Sequence, residues 1–424
     1  MRIAPDREDT EPKFADQGEY LMSLFNNFKK KAAAGAAALA LLGGLLHFSF
    51  NTDNAAWAEG GRWESMNVPD TEGGLVVDPH LMNLNKLQIF FGCSNPKNKI
   101  KAPEFAFSVS DDGGKWTDVK SPFFGYNMPG VRKVSCGLAK KTIGVIFQHN
   151  IVDQGPNAFE VMYSISGDSG WSFSKPAVCD SYVTDNASGG AVNIAGVSGR
   201  KPALCFGWLA EGFKVKAALF DPSMRADRPR ACNLGRYTTG GERVELGGEE
   251  NGGFVCVWND GSGLLSSYIK PLIGTNDEPV KIASGKFGLN FSVSNNGSGR
   301  HALLVYDLPR LRKGENTRRQ VRLWKDGEWQ TVAAAAPAKG EAPLGASLNS
   351  CQDKDGNLYV ASLSKDGETI YYSALRDGRF SEPEAAMKLK PVIGCTGFSI
   401  SVLNGYAYIF ASQGPSCQLV RRKI

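Results

Sequence analysis

The stretch YSISGDSGWSFSKP, from Tyr163 to Pro176, decides the fold because one pattern is complete in it and returns, eroded, along the rest of the chain. Ser166, Asp168, Gly170, Ser172 and Phe173 fall on every fixed position of Ser-x-Asp-x-Gly-x-Ser-Phe. The spacing suits a tight turn between two strands. Asp and Ser side chains accept bonds from nearby backbone N–H groups, Gly supplies a positive φ, and the aromatic ring packs beneath. These residues are therefore expected to staple a turn and to take no part in catalysis.

Two echoes turn one motif into a repeat. Phe107 to Pro122, FSVSDDGGKWTDVKSP, keeps Ser110, Asp112 and Gly114 but brings its aromatic, Trp116, one residue early. Tyr372 to Pro383, YSALRDGRFSEP, shortens the turn to Asp377-Gly378. Around each copy the chain alternates short apolar strands with Gly-containing turns, which defines a unit of four antiparallel strands. One such unit takes Val131 to Gly137, Thr142 to Gln148, Phe159 to Ser166 and Trp171 to Val178. Outer strands are expected likewise at Lys115 to Val119, within Arg228 to Asn233, and at Glu278 to Ile282, Glu328 to Val332 and Arg379 to Pro383.

The C-terminal unit has three strands, near Gly397 to Val402, Tyr406 to Ala411 and Cys417 to Arg422. Its fourth is available at the other end. Gly61-Arg62-Trp63-Glu64-Ser65 matches Gly327-Glu328-Trp329-Gln330-Thr331, the start of another outer strand. Counting outer strands gives seven units at intervals of about 50 to 57 residues. The sequence thus predicts an all-β propeller of seven four-stranded antiparallel blades, with the ring closed by the N-terminal strand. A pair of β-sandwiches would show no fixed period across the chain.

The Ser166 to Phe173 pattern resembles the Asp-box of sialidase-like β-propellers. That resemblance implies six blades rather than seven, and a glycoside hydrolase site. It implies an Arg triad for a substrate carboxylate, opened by Arg-Ile-Pro, with an Asp acid/base and a Tyr-Glu nucleophile. Here Asn67-Val68-Pro69 is the nearest counterpart of Arg-Ile-Pro, and Asn lacks the charged bidentate clamp. Arg243 is a possible second member of the triad, and Arg310, Arg312, Arg318 and Arg319 offer a third.

The loops at one channel mouth are the expected ligand site. Beside those arginines they hold Tyr126 and Tyr237 as aromatic platforms and Asp153, Glu211, Glu242 and Asp307 as carboxylates. The loop from Asp307 to Arg319 also carries Lys313, which points to an anionic ligand. No catalytic set is assigned. The reading favoured is a propeller that binds glycan or another polar, anionic ligand without the standard sialidase residues. A divergent glycoside hydrolase and a protein-interaction scaffold are the alternatives.

The remaining composition narrows the partners. A net charge of +5, without a zinc-finger spacing or a Walker loop, points away from nucleic acid. With four His and no CxxC, neither a metal nor another cofactor is expected. Lys29 to Lys31, the apolar run Ala32 to Phe50 and Ala56-Trp57-Ala58 read as a secretory signal, or as a membrane anchor if uncleaved. Residues 1–58 are therefore set apart from a propeller spanning 59–424, which would be secreted, periplasmic or membrane-anchored. Cys93, Cys205 and Cys256 are expected as buried thiols. Cys179 with Cys232, or Cys395 with Cys351 or Cys417, are candidates for pairing.

Overall fold

The structure is a computed structural model that describes residues 61–94, 102–123, 128–155, 157–183, 190–199, 202–221, 230–237, 243–271, 276–285, 287, 290–295, 301–308, 318–335, 347–391 and 395–424. The expected export segment lies outside them. Gly60 to Ile424 form one compact unit, and its strands fold as a seven-bladed propeller.

Strand β1 (Glu64–Met66) opens the described chain. Blade one follows with β2 (Val76–Asn83), β3 (Leu87–Ser94) and β4 (Pro103–Ser110). Blade two has β5 (Val131–Ala139), β6 (Thr142–Asn150), β7 (Ala158–Ser166) and β8 (Ala177–Val183). In blade three are β9 (Val192–Val197), β10 (Ala203–Ala210), β11 (Lys214–Phe220) and β12 (Arg230–Arg236). Blade four contains β13 (Val244–Gly248), β14 (Phe254–Asn259), β15 (Gly263–Ile269) and β16 (Val280–Ser284). Blade five contains β17 (Phe291–Asn295), β18 (Ala302–Leu308), β19 (Arg318–Lys325) and β20 (Glu328–Ala335). Blade six has β21 (Ser347–Gln352), β22 (Leu358–Leu363), β23 (Thr369–Arg376), β24 (Arg379–Phe380) and β25 (Glu384–Lys388). Blade seven is β26 (Gly397–Leu403), β27 (Tyr406–Gln413), β28 (Ser416–Lys423) and, on its outer edge, β1. Seven blades replace the six that the sialidase resemblance implied.

The apolar cores lie between blades rather than within them. Blades three and four, for example, enclose Leu209, Val244, Phe254 and Trp258. Second strands are covered on both faces, so every residue of β10 and β14 is buried. That double burial explains why these strands read as continuous apolar runs.

Three of the expected outer strands differ from what forms. In blade one only the bridges Ser110 to Trp116 and Phe107 to Lys120 occupy the place expected of Lys115 to Val119. In blade two the outer strand is Ala177–Val183, not Trp171 to Val178. In blade six it splits into β24 and β25. A side-chain clip accompanies the change in blades one and two, where Ser108 Oγ donates to the Thr117 carbonyl at 2.6 Å and Ser164 Oγ to the Ser174 carbonyl at 2.7 Å. Blade four carries the same clip from Ser267 Oγ to the Asp277 carbonyl at 2.6 Å, and in blade six Ser381 Oγ accepts from Ala374 N at 2.9 Å. The clip holds the chain off the ladder after each turn, so regular pairing resumes later.

The Ser166 to Phe173 turn is a closed hydrogen-bonded unit. Ser166 Oγ donates to Asp168 Oδ1 at 2.7 Å and accepts from Gly170 N at 2.8 Å. Ser172 donates to Asp168 from its backbone N at 2.9 Å and from its Oγ at 2.5 Å. Gly170 has φ +93°, and Phe173 meets the Phe90 and Phe107 rings of blade one edge-on. The bonds from Ser172, then from Ser166, hold the Asp168 carboxyl down at about 2, against an ordinary 3.8. Asp168→Ala is therefore expected to lower stability at neutral pH by on the order of 1 kcal/mol after solvent screening. Because the folded pKa is depressed, that contribution is present above about pH 4 and lost as pH falls toward 2. Thermal melts across this window check it: a gap between variant and wild type that stays constant down to pH 2 would contradict the assignment.

Outer-strand tryptophans reach back to the preceding blade. Trp329 Nε1 donates to Ser266 Oγ at 3.0 Å, Trp116 Nε1 to the Asn67 carbonyl at 2.9 Å, and Trp63 Nε1 to Glu384 Oε1 at 3.0 Å. Trp63 also stands edge-on to Tyr372 with ring centroids 5.2 Å apart, and Arg422 pairs with Glu384 beside it. The match between the Trp63 and Trp329 segments thus reflects one packing role. All nine cysteines are free thiols, so the pairings considered for Cys179, Cys232, Cys351, Cys395 and Cys417 do not form. Burial raises the pKa of the Cys136, Cys205 and Cys256 thiols.

Candidate functional site

The seven inner strands, β2, β5, β9, β13, β17, β21 and β26, enclose a central channel of about 1320 Å³. They run the same way, so the residues that begin them surround one end, here called the upper mouth. A side chain crosses each seam between neighbouring inner strands. Asp78 Oδ2 accepts from Val134 N at 2.7 Å, Ser135 Oγ from Ile194 N at 3.2 Å, and Asn193 Oδ1 from Leu246 N at 3.1 Å. Glu245 Oε2 accepts from Val293 N at 2.9 Å, and Ser350 Oγ donates to Ser292 Oγ at 2.9 Å. Asn349 Nδ2 donates to the Phe398 carbonyl at 3.4 Å, and Ser399 Oγ accepts from Leu81 N at 3.0 Å. A ring of seven polar contacts follows, and in two of its places the polar residue is an acid.

One of those acids has a cationic partner. Arg243 Nε meets Glu245 Oε1 at 2.7 Å, its Nη1 donates to Ser347 Oγ at 3.3 Å, and its guanidinium stands 5.7 Å from the Phe291 ring centre. Arg243 lines the channel, with its guanidinium engaged in the wall.

The other acid sits on an irregular backbone. Pairing between β2 and β3 shifts register between Val77 and His80, and Asp78 takes φ +48°. The next inner strand shifts as well, between Val131 and Lys133. Asp78, His80 and Lys133 all line the channel. Burial lowers the pKa of His80, outweighing the opposing pull of Asp78 and Glu245, so its imidazole is neutral at pH 7.

Among the described residues, the other sequence candidates are not gathered at the channel. Arg319, expected as a free loop cation, belongs to β19 and clamps Asp307 across the hairpin, with Nε to Oδ1 at 2.8 Å and Nη2 to Oδ2 at 3.1 Å. Its Nη1 donates to Ser373 Oγ of blade six at 3.0 Å. The guanidinium bolts two blades together. Arg318 begins β19. Tyr237 packs edge-on against Phe213, with ring centroids 5.5 Å apart, and does not line the channel. Asp153 is exposed in a 3-10 turn above blade two. Tyr126, Arg310, Arg312, Lys313 and Glu242 lie outside the described residues. Asn67 donates to the Gly114 carbonyl at 2.6 Å in the outer turn of blade one, away from the channel lining.

Asp78, His80, Lys133 and Glu245 are absent from the sequence expectation because they lie in strands, whereas that expectation rests on loops. A usable signal was present: Asp78, Ser135, Asn193, Glu245, Ser292, Asn349 and Ser399 recur at about the blade period within otherwise apolar strands.

Neither a protein family profile nor any curated protein sequence matches the chain. Among solved structures it is similar to the α-L-arabinofuranosidase of Fusarium graminearum, at 11% identity and a TM-score of 0.48 over 86% of this chain and 98% of that one. It is likewise similar to the α-L-arabinanase of Penicillium chrysogenum, at 12% identity and a TM-score of 0.45 over 85% and 98% of the two chains. The NanB sialidase of Streptococcus pneumoniae gives 9% identity and a TM-score of 0.46 over 85% and 70%. The seven-bladed fold stands on the chain's own strand order, closed where β1 pairs with β28.

Proposed function

We propose that the protein binds a glycan or another polar ligand at the upper mouth of its channel and does not hydrolyse it. The observation that carries this reading is the state of the two acids in the ring of inner-strand contacts, Asp78 and Glu245. Each already accepts a backbone N–H bond across a blade seam, and Glu245 is paired with Arg243 as well. Those contacts commit part of each carboxylate to holding neighbouring inner strands together. A glycosidase needs one carboxyl group that holds a proton for the leaving oxygen and a second that is free to attack or to activate water. The channel acids suit a wall that orients hydroxyl groups better than they suit that exchange of protons.

Acidic glycans are what Arg310, Arg312 and Lys313 would favour, whereas the channel itself is closer to charge balance. A glycan array carrying both classes, together with fluorogenic glycosides, checks the proposal. The expected result is saturable binding to a subset of glycans, with no release of aglycone from a fluorogenic sialoside. Efficient turnover of that substrate would replace this reading with a hydrolase, and a blank array would leave neither.

A further inference from the structure

Five of the seven inner strands pair with their second strands without a break in register. The two exceptions, β2 and β5, are neighbours across one seam. Bulges re-aim side chains and concentrate beside functional sites, so two in register across a channel wall single out this seam. Its backbone is strained as well. Asp78 is a non-glycine residue in the left-handed region, directly before Pro79, where an extended conformation is ordinarily favoured. The opposite neighbour is shaped to accommodate this. A Cβ on Gly397 would lie 2.5 Å from Pro79 Cδ and 3.1 Å from Asp78 Cα. Strain held in place from both sides is an observation from which function is properly inferred.

We propose that Asp78, His80 and Lys133 form a subsite on the channel wall for two neighbouring hydroxyl groups of an uncharged sugar. This deepens the glycan-binding reading and rests on it. Asp78 spends Oδ2 on Val134 N and keeps Oδ1 as an acceptor. The His80 ring nitrogens and the Lys133 ammonium make no hydrogen bond or ion pair among the described residues. One carboxylate oxygen, one neutral imidazole and one ammonium offer an acceptor, a group that both donates and accepts, and a donor. That set matches hydroxyl groups, each of which donates and accepts. The charges of Asp78 and Lys133 offset each other, as do those of Glu245 and Arg243, so this part of the wall has no net attraction for an acidic ligand. Fixed polar groups in a broad concave space are the usual means of orienting a small ligand.

The chain has four histidines, so each ring resonance can be assigned by single substitution and followed by NMR. The full chain is titrated with D-galactose, D-mannose, N-acetyl-D-glucosamine, D-glucuronate and N-acetylneuraminate. The expected result is a saturable shift of the His80 resonance with at least one uncharged sugar, while those of His149 and His301 stay in place. Lys133→Met, which removes only an unpaired ammonium, is expected to raise the Kd about tenfold with an unchanged melt. Array binding without movement of His80 would overturn the subsite and leave the glycan reading standing. Movement with the acidic sugars alone would overturn its preference for uncharged ligands. No array binding, and no shift with any of the five, would remove both.

Discussion

Deleting residues 61–68 is expected to lower the melting midpoint of the propeller by on the order of 10 °C, the largest effect of any change considered. The segment supplies the whole outer edge of blade seven, where Glu64 pairs with Arg421 and Met66 with Leu419. It also ties that blade to both neighbours. Trp63 bonds to Glu384 and packs on Tyr372 of blade six, while Asn67 bonds to Gly114 of blade one. Removing a fully buried Trp typically costs about 3–5 kcal/mol, and the half-buried Trp63 is expected to account for part of that. Loss of the strand adds unpaired backbone on β28 and exposes an edge that other chains can template. For domains of 150–250 residues each kcal/mol moves the midpoint by about 2–4 °C, and somewhat less in a longer chain. Calorimetry of the truncated and full proteins decides the matter, with Trp63→Ala as a milder companion expected to move in the same direction. A truncated protein that melts with the full one would show that blade seven closes without β1.

Glu245→Ala is expected to destabilise the fold by about 3–5 kcal/mol, because it removes the carboxylate that Arg243 and the Val293 N–H share inside the wall. Arg243 would lose its carboxylate, and Val293 N would lose its acceptor across the seam. Glu245→Gln should do less harm, since its amide oxygen can still accept from Val293 N. Combining Glu245→Gln with Arg243→Met should recover part of the loss, as removing both charges spares the desolvation of one left alone. Chemical denaturation of the three variants reads these differences directly. If Glu245→Ala melts within about 0.5 kcal/mol of wild type, as ordinary surface substitutions do, the contact is not structural.

The architecture was legible because a propeller repeats its chemistry. Ser108, Ser164 and Ser267 recur in the same clip, and Trp63 and Trp329 make the same backward reach, so local spacing carried global information. The outer strand boundaries were not legible, since they depend on how far each clip holds the chain off its neighbour. The site was less visible still. Arg319 read as a loop cation because nothing in its flanking residues announces that Asp307, across a hairpin, claims its guanidinium. Asp78 and His80 were hidden for a different reason. Their bulge is made possible by the missing side chain of Gly397, more than three hundred residues away in sequence, and no local pattern encodes that.

The pairing of β1 with β28 also sets an order of events during synthesis. Glu64 and Arg421 are separated by 357 residues, so β1 must wait for β28, which is made after every strand of blades one to six. Blades one to six are built from consecutive hairpins and can assemble as their residues emerge, whereas β1 has no partner until β28 has been made. The entropic penalty for joining such distant ends grows only as the logarithm of their separation. The delay is therefore mainly one of time, since distant pairings form slowly. Until β28 is made, the ring has an unsealed gap, and in that interval a neighbouring copy of the chain can compete for the place that β1 will fill.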